Sequence, residues 1–431
     1  MTIGDRNLSL KSLLMPTLTR YLLSEARLTR VRRHAETRRR RQGQPLQVHY
    51  FHQVDDPYSA LAAQALPYLL ERYEIHLVSH IVSPPAESAM PDRLRWQTYS
   101  RQDAQAQATV SGLDFSDTGR QPDVYHVQLA QAVLAEHVRA GYLNEAVAEV
   151  SRQLWSCPEE LCAYNRAEPM YVDSTLRVAN RLRERWGHYA GAMFYCSGEW
   201  YWGLDRLHYL ERRLQELGLD RSGGEEVLFA PRDTFPESNQ KSETPVLDFY
   251  FSLRSPYSAI VVPRIFQLAR QHDAKINLRY VLPLVMRGLP VPRAKRTYIV
   301  LDAAREARLR AIPFGCINDP LGKPTERGLA LMPFAESRNQ GPAYLQSFMS
   351  GVWAEGLDAG SDRGLRRIVE RAHLSWEEAR IALQDDSWRL TAEDNRRSLL
   401  AAGLWGVPAF VVNQHAVWGQ DRLWRVDAAL R

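Results

Sequence analysis

A short sequence written twice constrains this chain more than any other feature in it. Leu46–Ser59 reads LQVHYFHQVDDPYS and Val246–Ser258 reads VLDFYFSLRSPYS. Each is a β-rich run, a polar turn and then Pro-Tyr-Ser-Ala opening a helical stretch. The two tetrapeptides, Pro57–Ala60 and Pro256–Ala259, lie 199 positions apart. Helical segments ending in Trp155 and Trp353 repeat at an offset of 198. Trp202-Gly203-Leu204-Asp205-Arg206-Leu207 matches Trp418-Gly419-Gln420-Asp421-Arg422-Leu423 at 216. Three matches in one order at nearly constant spacing argue for a tandem duplication. The expected organisation is a basic arm (1–44), a first copy (45–232), a polar linker (233–244) and a second copy (245–431).

In the second copy, Val246–Phe251 reads as a strand and Pro256 starts a helix to about Gln271, proline being favoured at the first helical position. Ile276–Val281 is a second strand, and helical patterns fill 295–400. Ala409–Val412 and Ala416–Trp418 are short strands, and Asp421–Leu430 is a last helix. A β-α-β unit, a helical insert and then β-β-α is the order of a thioredoxin fold carrying an inserted helical domain. The first copy follows the same plan. Strands are expected at His49–Phe51, Ile75–Val82 and Met193–Cys196, helices across about 89–187, and a last helix at Asp205–Leu217. The expected fold class is therefore α/β, two tandem thioredoxin-like domains, each with a helical subdomain.

The net charge of +5 is unevenly placed. Residues 1–44 hold eleven basic side chains against three acids, a surplus of eight, so the rest of the chain sums to −3. A helix is expected from Thr17 to Arg41, with Leu18, Tyr21, Leu22 and Leu28 on one stripe and Pro16 interrupting the apolar residues before it. Such a helix can pack its stripe on the body, or bind an anionic membrane surface or a polyanion. An Arg-rich, acid-poor start also suits an organellar transit peptide, whereas the secretory pattern is absent. No apolar run approaches a membrane span. The four cysteines (Cys157, Cys162, Cys196, Cys316) form no C-x-x-C pair and no zinc-knuckle spacing, which points to reduced thiols in a cytoplasmic protein with no metal site.

The chemistry concentrates in the second copy. Ser255 stands at the N-cap of the helix opened by Pro256, where free N–H groups and the helix dipole favour an anion. A cysteine here would be a redox thiol. A serine can form no disulfide but can hold another molecule's thiolate, or simply cap the helix. Pro408, opening the apolar run Ala409–Val412, is a candidate cis proline, and Val407 before it is a strand edge able to pair with a peptide backbone. Asp421 can cap the last helix or take an ammonium group, with Arg422 beside it for a carboxylate.

In combination, DFYFSLRSPYSA, the stretch Pro283–Gly288, Lys295-x-x-Tyr298-x-x-x-Asp302-x-x-Arg305, GVPAFVV and WGQDRL resemble 2-hydroxychromene-2-carboxylate isomerases and kappa-class glutathione transferases, in the DsbA-like branch of the thioredoxin superfamily. The resemblance covers the second copy and, more weakly, the first. It implies that Ser255 hydrogen-bonds the sulfur of glutathione and favours its thiolate, and that Val407 and Pro408 hold the cysteinyl unit. Asp421 and Arg422 would sit near the γ-glutamyl end, and Lys295 near the substrate and the glycyl carboxylate. Tyr257 and Trp418 would face the substrate. The implied reaction is attack of the thiolate on an electrophilic, usually aromatic, molecule. Gly288–Pro292 lacks the family's asparagine. Arg254 replaces an apolar residue, and Arg287 and Arg293 suggest an acidic substrate.

In the first copy the residue matching Ser255 is Asp56, preceded by Asp55, and the residue matching Pro408 is Ala192. Carboxylates there cap well and repel a thiolate, so the first copy is expected to be degenerate, structural or regulatory, with Asp56 as a general base the minority reading. Alternatives to a glutathione-dependent enzyme are a non-catalytic protein that binds a peptide or protein partner along the Val407 edge and, less favoured because positions 255 and 258 lack cysteine, a DsbA-like oxidoreductase. The two copies are expected to pair as an intramolecular pseudo-dimer.

Overall fold

The structure is a computed structural model that describes residues 10–232 and 244–431. The first nine residues of the arm and nearly all of the linker (233–243) lie outside the described residues. The described residues divide into two compact units. A C-terminal unit takes those of Met1–Arg30, Arg232–Val291 and Arg296–Arg431, and an N-terminal unit those of Val31–Pro231 and Pro292–Lys295.

In the N-terminal unit, strands β1 (Gln47–Gln53), β2 (His76–Val82), β3 (Met193–Cys196) and β4 (Glu199–Trp202) form a sheet in the order β2-β1-β3-β4. β1 runs parallel to β2 (Val48↔Leu77) and antiparallel to β3 (Tyr50↔Phe194), and β3 pairs antiparallel with β4. Val48, Tyr50, Phe51, Phe194 and Tyr201 are fully buried, which is why these aromatic and β-branched runs are strands. β1 is longer than its predicted core, and β4 was not expected from sequence. The predicted last helix is a short 3-10 turn (Leu204–Arg206) followed by the helix Leu207–Glu216.

The C-terminal unit holds β5 (Val246–Phe251), β6 (Lys275–Tyr280), β7 (Ala409–Val412) and β8 (His415–Trp418) in the order β6-β5-β7-β8. The pairing senses are those of the first sheet: parallel β5–β6 (Leu247↔Ile276), antiparallel β5–β7 (Tyr250↔Ala409) and β7–β8 (Ala409↔Trp418). Phe249 and Phe410 stack at 5.4 Å across the sheet. The Pro256–Gln271 helix covers one face, and the insert helix Gly341–Trp353 packs on it through Tyr344, Leu345, Phe348, Met349 and Val352, all buried. This helix also reaches the site, because Trp353 Nε1 donates to the Leu253 carbonyl at 3.1 Å. A Cβ on Gly328 would lie 2.6 Å from Leu253, so the insert approaches that turn where only glycine fits.

The arm differs from its expectation. Two helices, Leu10–Leu22 and Glu25–Arg41, replace one, and Pro16 lies within the first. The break falls at Ser24, whose hydroxyl accepts the Arg27 N–H at 3.2 Å as an N-cap does. Leu23, outside the predicted stripe, packs on the C-terminal core, while of the stripe itself Leu18, Tyr21 and Leu22 stay exposed and Leu28 is half-buried. Thr19 also accepts the Ile317 N–H at 2.9 Å, and Arg20 contacts the Cys316 sulfur, both within the C-terminal unit. Arg32, in the N-terminal unit, makes a bidentate pair with Glu199 at 2.8 and 3.0 Å. Among the described residues no helix is long and apolar enough to cross a membrane.

Candidate active site in the C-terminal unit

The end of β5 builds the site. Past Phe251 the chain turns through Ser252–Arg254, closed by the Ser255 N–H on the Ser252 carbonyl at 3.0 Å. Ser255 has extended backbone angles (φ −97°, ψ 116°) and is the N-cap of the Pro256–Gln271 helix. Its hydroxyl oxygen accepts the Ser258 N–H at 3.1 Å, and among the described residues its own proton has no acceptor. The side chain is half-buried. A hydroxyl with its lone pair engaged and its proton uncommitted, at a helix N-terminus with no acid in the first turn, is a donor that an anion could use. The turn is held firmly: Arg254 forks onto Asp319 at 2.7 and 2.9 Å, so this departure from the family pattern acts as a clamp.

The register Tyr250↔Ala409 places Pro408 at the end of β5 from which that turn leaves. The Val407–Pro408 peptide is cis, as the sequence suggested. Gly406 lies under Trp418, since a Cβ there would meet the indole at 2.7 Å, and Trp405 packs on Trp418 at 4.8 Å. The Gly419 N–H donates to the Pro408 carbonyl at 2.9 Å. Ser255, Val407-Pro408 and the start of the Trp418–Arg422 turn thus gather at one end of the sheet, and Trp418 covers the loop before Val407. Asp421 does not cap the last helix, whose N-cap position is Arg422. Asp421 accepts from the Gln420 amide instead, and Arg422 is buried. Tyr257 donates to Asp302 at 2.8 Å.

Lys295 is placed elsewhere. It groups with the N-terminal unit and its Nζ donates to the Ala89 carbonyl at 2.7 Å; burial lowers its pKa to about 8. Sequence reasoning also missed a buried network behind the turn. Arg264 donates to Gln420 Oε1 at 2.7 Å, the Gln420 amide donates to Glu306 at 2.6 Å, and Arg310 reaches Glu306 at 2.8 Å. The i,i+4 spacing of Glu306 and Arg310 was its only sequence signal.

At the matching place in the N-terminal unit the chemistry is inverted. Asp56 caps the Pro57–Gln64 helix, accepting the Ser59 N–H at 3.0 Å and the Ser59 hydroxyl at 2.8 Å. Burial, with the neighbouring Asp55 charge adding to it, raises its pKa to about 7. Ala192 (φ 53°) has an N–H where Pro408 has none, and it donates to the Ser59 hydroxyl at 2.8 Å. Gly191, the residue matching Val407, presses so closely on Gln53 that a Cβ would lie 2.4 Å from that side chain. Tyr58 donates to Asp103 at 3.0 Å, as Tyr257 does to Asp302, at the same offset of 199.

These arrangements define a class. Residues 246–431 match the DSBA-like thioredoxin domain family, and the C-terminal half of the chain is a DsbA-like thioredoxin domain. Within that class the chain is similar to 2-hydroxychromene-2-carboxylate isomerase of Pseudomonas putida, 23% identical over 197 residues (43% of this chain, 94% of the relative). It is also similar to the enzyme of that name from Sphingobium xenophagum, 22% identical over 190 residues (42% and 95%). Among solved structures, a 2-hydroxychromene-2-carboxylate isomerase aligns at 22% identity and TM-score 0.38, covering 43% of this chain and 94% of the other. The cytosolic disulfide reductase DsbM from Pseudomonas aeruginosa aligns at 19% and 0.34, covering 42% and 95%.

The Ser255 position can be tested without any ligand. Ser255→Cys is expected to yield a thiol with a pKa well below the ordinary ~8.5, because the same N–H groups and dipole act on a thiolate. The pH dependence of its alkylation by iodoacetamide measures this, and an ordinary thiol pKa would show that the helix end stabilises no anion.

Proposed function

We propose that the C-terminal unit binds glutathione and acts as an isomerase or transferase on an electrophilic, aromatic small molecule. The observation that carries this reading is the Ser255 hydroxyl, fixed by Ser258 and left with a proton to donate. When bound, glutathione supplies a thiolate nucleophile. The chain's part is to hold it: Ser255 donates to the sulfur, the Val407 backbone pairs with the cysteinyl unit beside Pro408, and Asp421 and Arg422 receive the γ-glutamyl ammonium and carboxylate. Tyr257 and Trp418 border the substrate space. Lys295, bonded to Ala89, is left out of this proposal.

An acidic substrate is supported by Arg287, a half-buried guanidinium just after β6 whose Nε has no hydrogen-bond partner among the described residues. The names of the relatives support the isomerase side. A dithiol oxidoreductase is disfavoured because the cysteine of the described C-terminal unit, Cys316, is a buried thiol held against Arg20. We further read the two sheets of equal strand order as products of tandem duplication that pair as a pseudo-dimer. In the same proposal, the exposed Arg33, Arg38 and Arg41 are a surface for polyanions or anionic membrane, in a cytoplasmic protein.

Calorimetry of the intact protein with millimolar glutathione tests the central claim. Binding is expected with a rise in melting temperature, worth about 2.7 kcal/mol at a hundredfold excess over Kd. No heat and no thermal shift would remove the glutathione reading and favour a protein or peptide partner on the Val407 edge.

A further inference from the structure

In the C-terminal unit, residues 312–320 form a nine-residue segment with no regular secondary structure of its own, so its shape is set by the groups that hold it. The Gly315 and Asn318 N–H groups donate to the Trp353 and Val352 carbonyls, both at 2.9 Å, and Phe314 stacks on Trp353 at 5.8 Å. Between them the Ile317 N–H donates to the Thr19 hydroxyl of the arm helix Leu10–Leu22 at 2.9 Å. Two residues further on, Asp319 takes the fork of Arg254, the residue before Ser255. From this chain of contacts we infer that Thr19 is a positioning residue for Ser255, acting through Ile317 and the Asp319–Arg254 pair, and that the arm helix belongs to the framework of the candidate site. The inference rests on the reading of Ser255 as a donor to an anion.

The docking of the arm is specific. Thr19 donates its own proton to the Pro16 carbonyl at 3.2 Å, which leaves its oxygen to accept from Ile317. Arg20 reaches the Cys316 sulfur at 3.1 Å, and Arg308 donates to the Leu23 carbonyl at 2.8 Å. A Cβ on Gly356 would lie 2.6 Å from Pro16 and 3.1 Å from the Cys316 sulfur, so the helix sits where only a glycine lets it approach. The far end of the path is equally definite. The Asp319 side chain is 38% exposed, and an ion pair so open to water orders little by itself. It holds Arg254 in place only if the Asp319 backbone is already fixed, and the hydrogen bond of Ile317 to Thr19 is one of those that fix it. Trp353 ties the same region from the other side: its carbonyl takes the Gly315 N–H and its indole donates to the Leu253 carbonyl at 3.1 Å. Leu253 and Arg254, the two residues ahead of Ser255, are thus both held by groups in contact with this segment. Such a continuous set of packed and hydrogen-bonded groups is the physical means by which one place can affect another. The matched domain begins at residue 246, so this support comes to the serine from outside that domain.

The test uses the full chain carrying Ser255→Cys, whose introduced thiol reports on the helix end without glutathione. Its alkylation by iodoacetamide is followed across pH by peptide mass spectrometry, which separates it from the exposed Cys157 and Cys162. The readout is the pKa of that thiol, which a change of access alone does not move. Thr19→Val keeps the side-chain shape and removes the acceptor; it is expected to raise the pKa by at least ~0.5, about a threefold loss of thiolate near neutral pH. Thr19→Ser, which keeps the hydroxyl, should restore the parent value, and Thr17→Val, at an exposed position of the same helix, should leave it unchanged. A pKa unmoved by Thr19→Val, or moved equally by Thr19→Ser or Thr17→Val, would overturn the inference. So would a fall in melting temperature in Thr19→Val with the pKa unmoved, which would make the arm a stabiliser of the fold alone. An ordinary thiol pKa in the parent would remove the reading of Ser255 and this inference together, whereas a low parent pKa untouched by Thr19→Val removes only the role of the arm.

Discussion

Ser255→Asp should abolish thiol-dependent turnover while keeping the protein at least as stable as Ser255→Ala. The two variants separate the two things Ser255 does. As an N-cap it accepts the Ser258 N–H, and removing that oxygen costs about 1 kcal/mol, or roughly 2–4 °C for a domain of this size. As a donor it offers a proton to an anion, and losing a hydrogen bond to a charged group costs about 1.5–3 kcal/mol, a fall of roughly 10- to 150-fold in rate. Alanine loses both functions. Aspartate keeps the cap, loses the donor and adds a negative charge where the thiolate would sit, reproducing the Asp56 arrangement. The expected order of activity is Ser, then Ala, then Asp; the expected order of stability is Ser and Asp above Ala. Turnover with an electrophilic substrate, read beside thermal melts, decides it. If activity simply tracks melting temperature across the set, Ser255 is a helix cap and nothing more.

Asp56→Asn is expected to stabilise the protein at pH 8 far more than at pH 5. In the folded chain this carboxyl titrates near 7, while an unfolded aspartate titrates near ~3.9. Between those values the native state holds a proton that the unfolded chain has released. Stability therefore falls as pH rises through this window and is level above it. About three pKa units correspond to roughly 4 kcal/mol at full development. The charged and titratable groups around Asp56 are Asp55, which raises its pKa, Arg93 across the pocket that both acids line, and Tyr50 beneath on β1, whose own pKa is pushed up by burial and then by the Asp56 charge. Asparagine caps equally well and carries no charge, so its advantage should grow from pH 4 to 7 and then stop. Urea unfolding at pH 5, 6, 7 and 8 measures it. A difference constant across that range would mean that Asp56 is ionised in the folded protein at every pH tested.

Much of the C-terminal sheet was legible because its signals are local. Proline at the first helical position, a serine before it and apolar strands bounded by turn residues need no knowledge of the rest of the fold. β4 escaped because Glu-Trp-Tyr-Trp has no apolar alternation; its pairing with β3 and the burial of Tyr201 make it a strand. The arm misled because its leucines suggest a docking stripe, yet Leu23, outside that stripe, and the hydrogen bonds of Thr19 and Arg20 hold it. Lys295 was carried to the site by resemblance alone, and nothing local could reveal the Ala89 carbonyl that takes its ammonium group. The Tyr257–Asp302 pair was within reach: extending the repeat aligns Thr297-Tyr298 and Asp302-Ala303 with Thr98-Tyr99 and Asp103-Ala104. The network through Gln420 and Glu306 was not, since it exists only once the insert folds back on the last turn.

The pairing of β5 with β7 has a consequence for synthesis. A ribosome delivers the Ser255 turn about 150 residues before the Val407–Trp418 segment that completes its surroundings, and the whole helical insert must emerge in between. For that interval the nascent chain carries an exposed β5 edge and an incomplete candidate site, whose completion awaits the last thirty or so residues. The candidate site is therefore assembled late, and a chain ended at Ala401 would carry Ser255 without the Val407–Pro408 segment and the Trp418 turn that gather at the same end of the sheet.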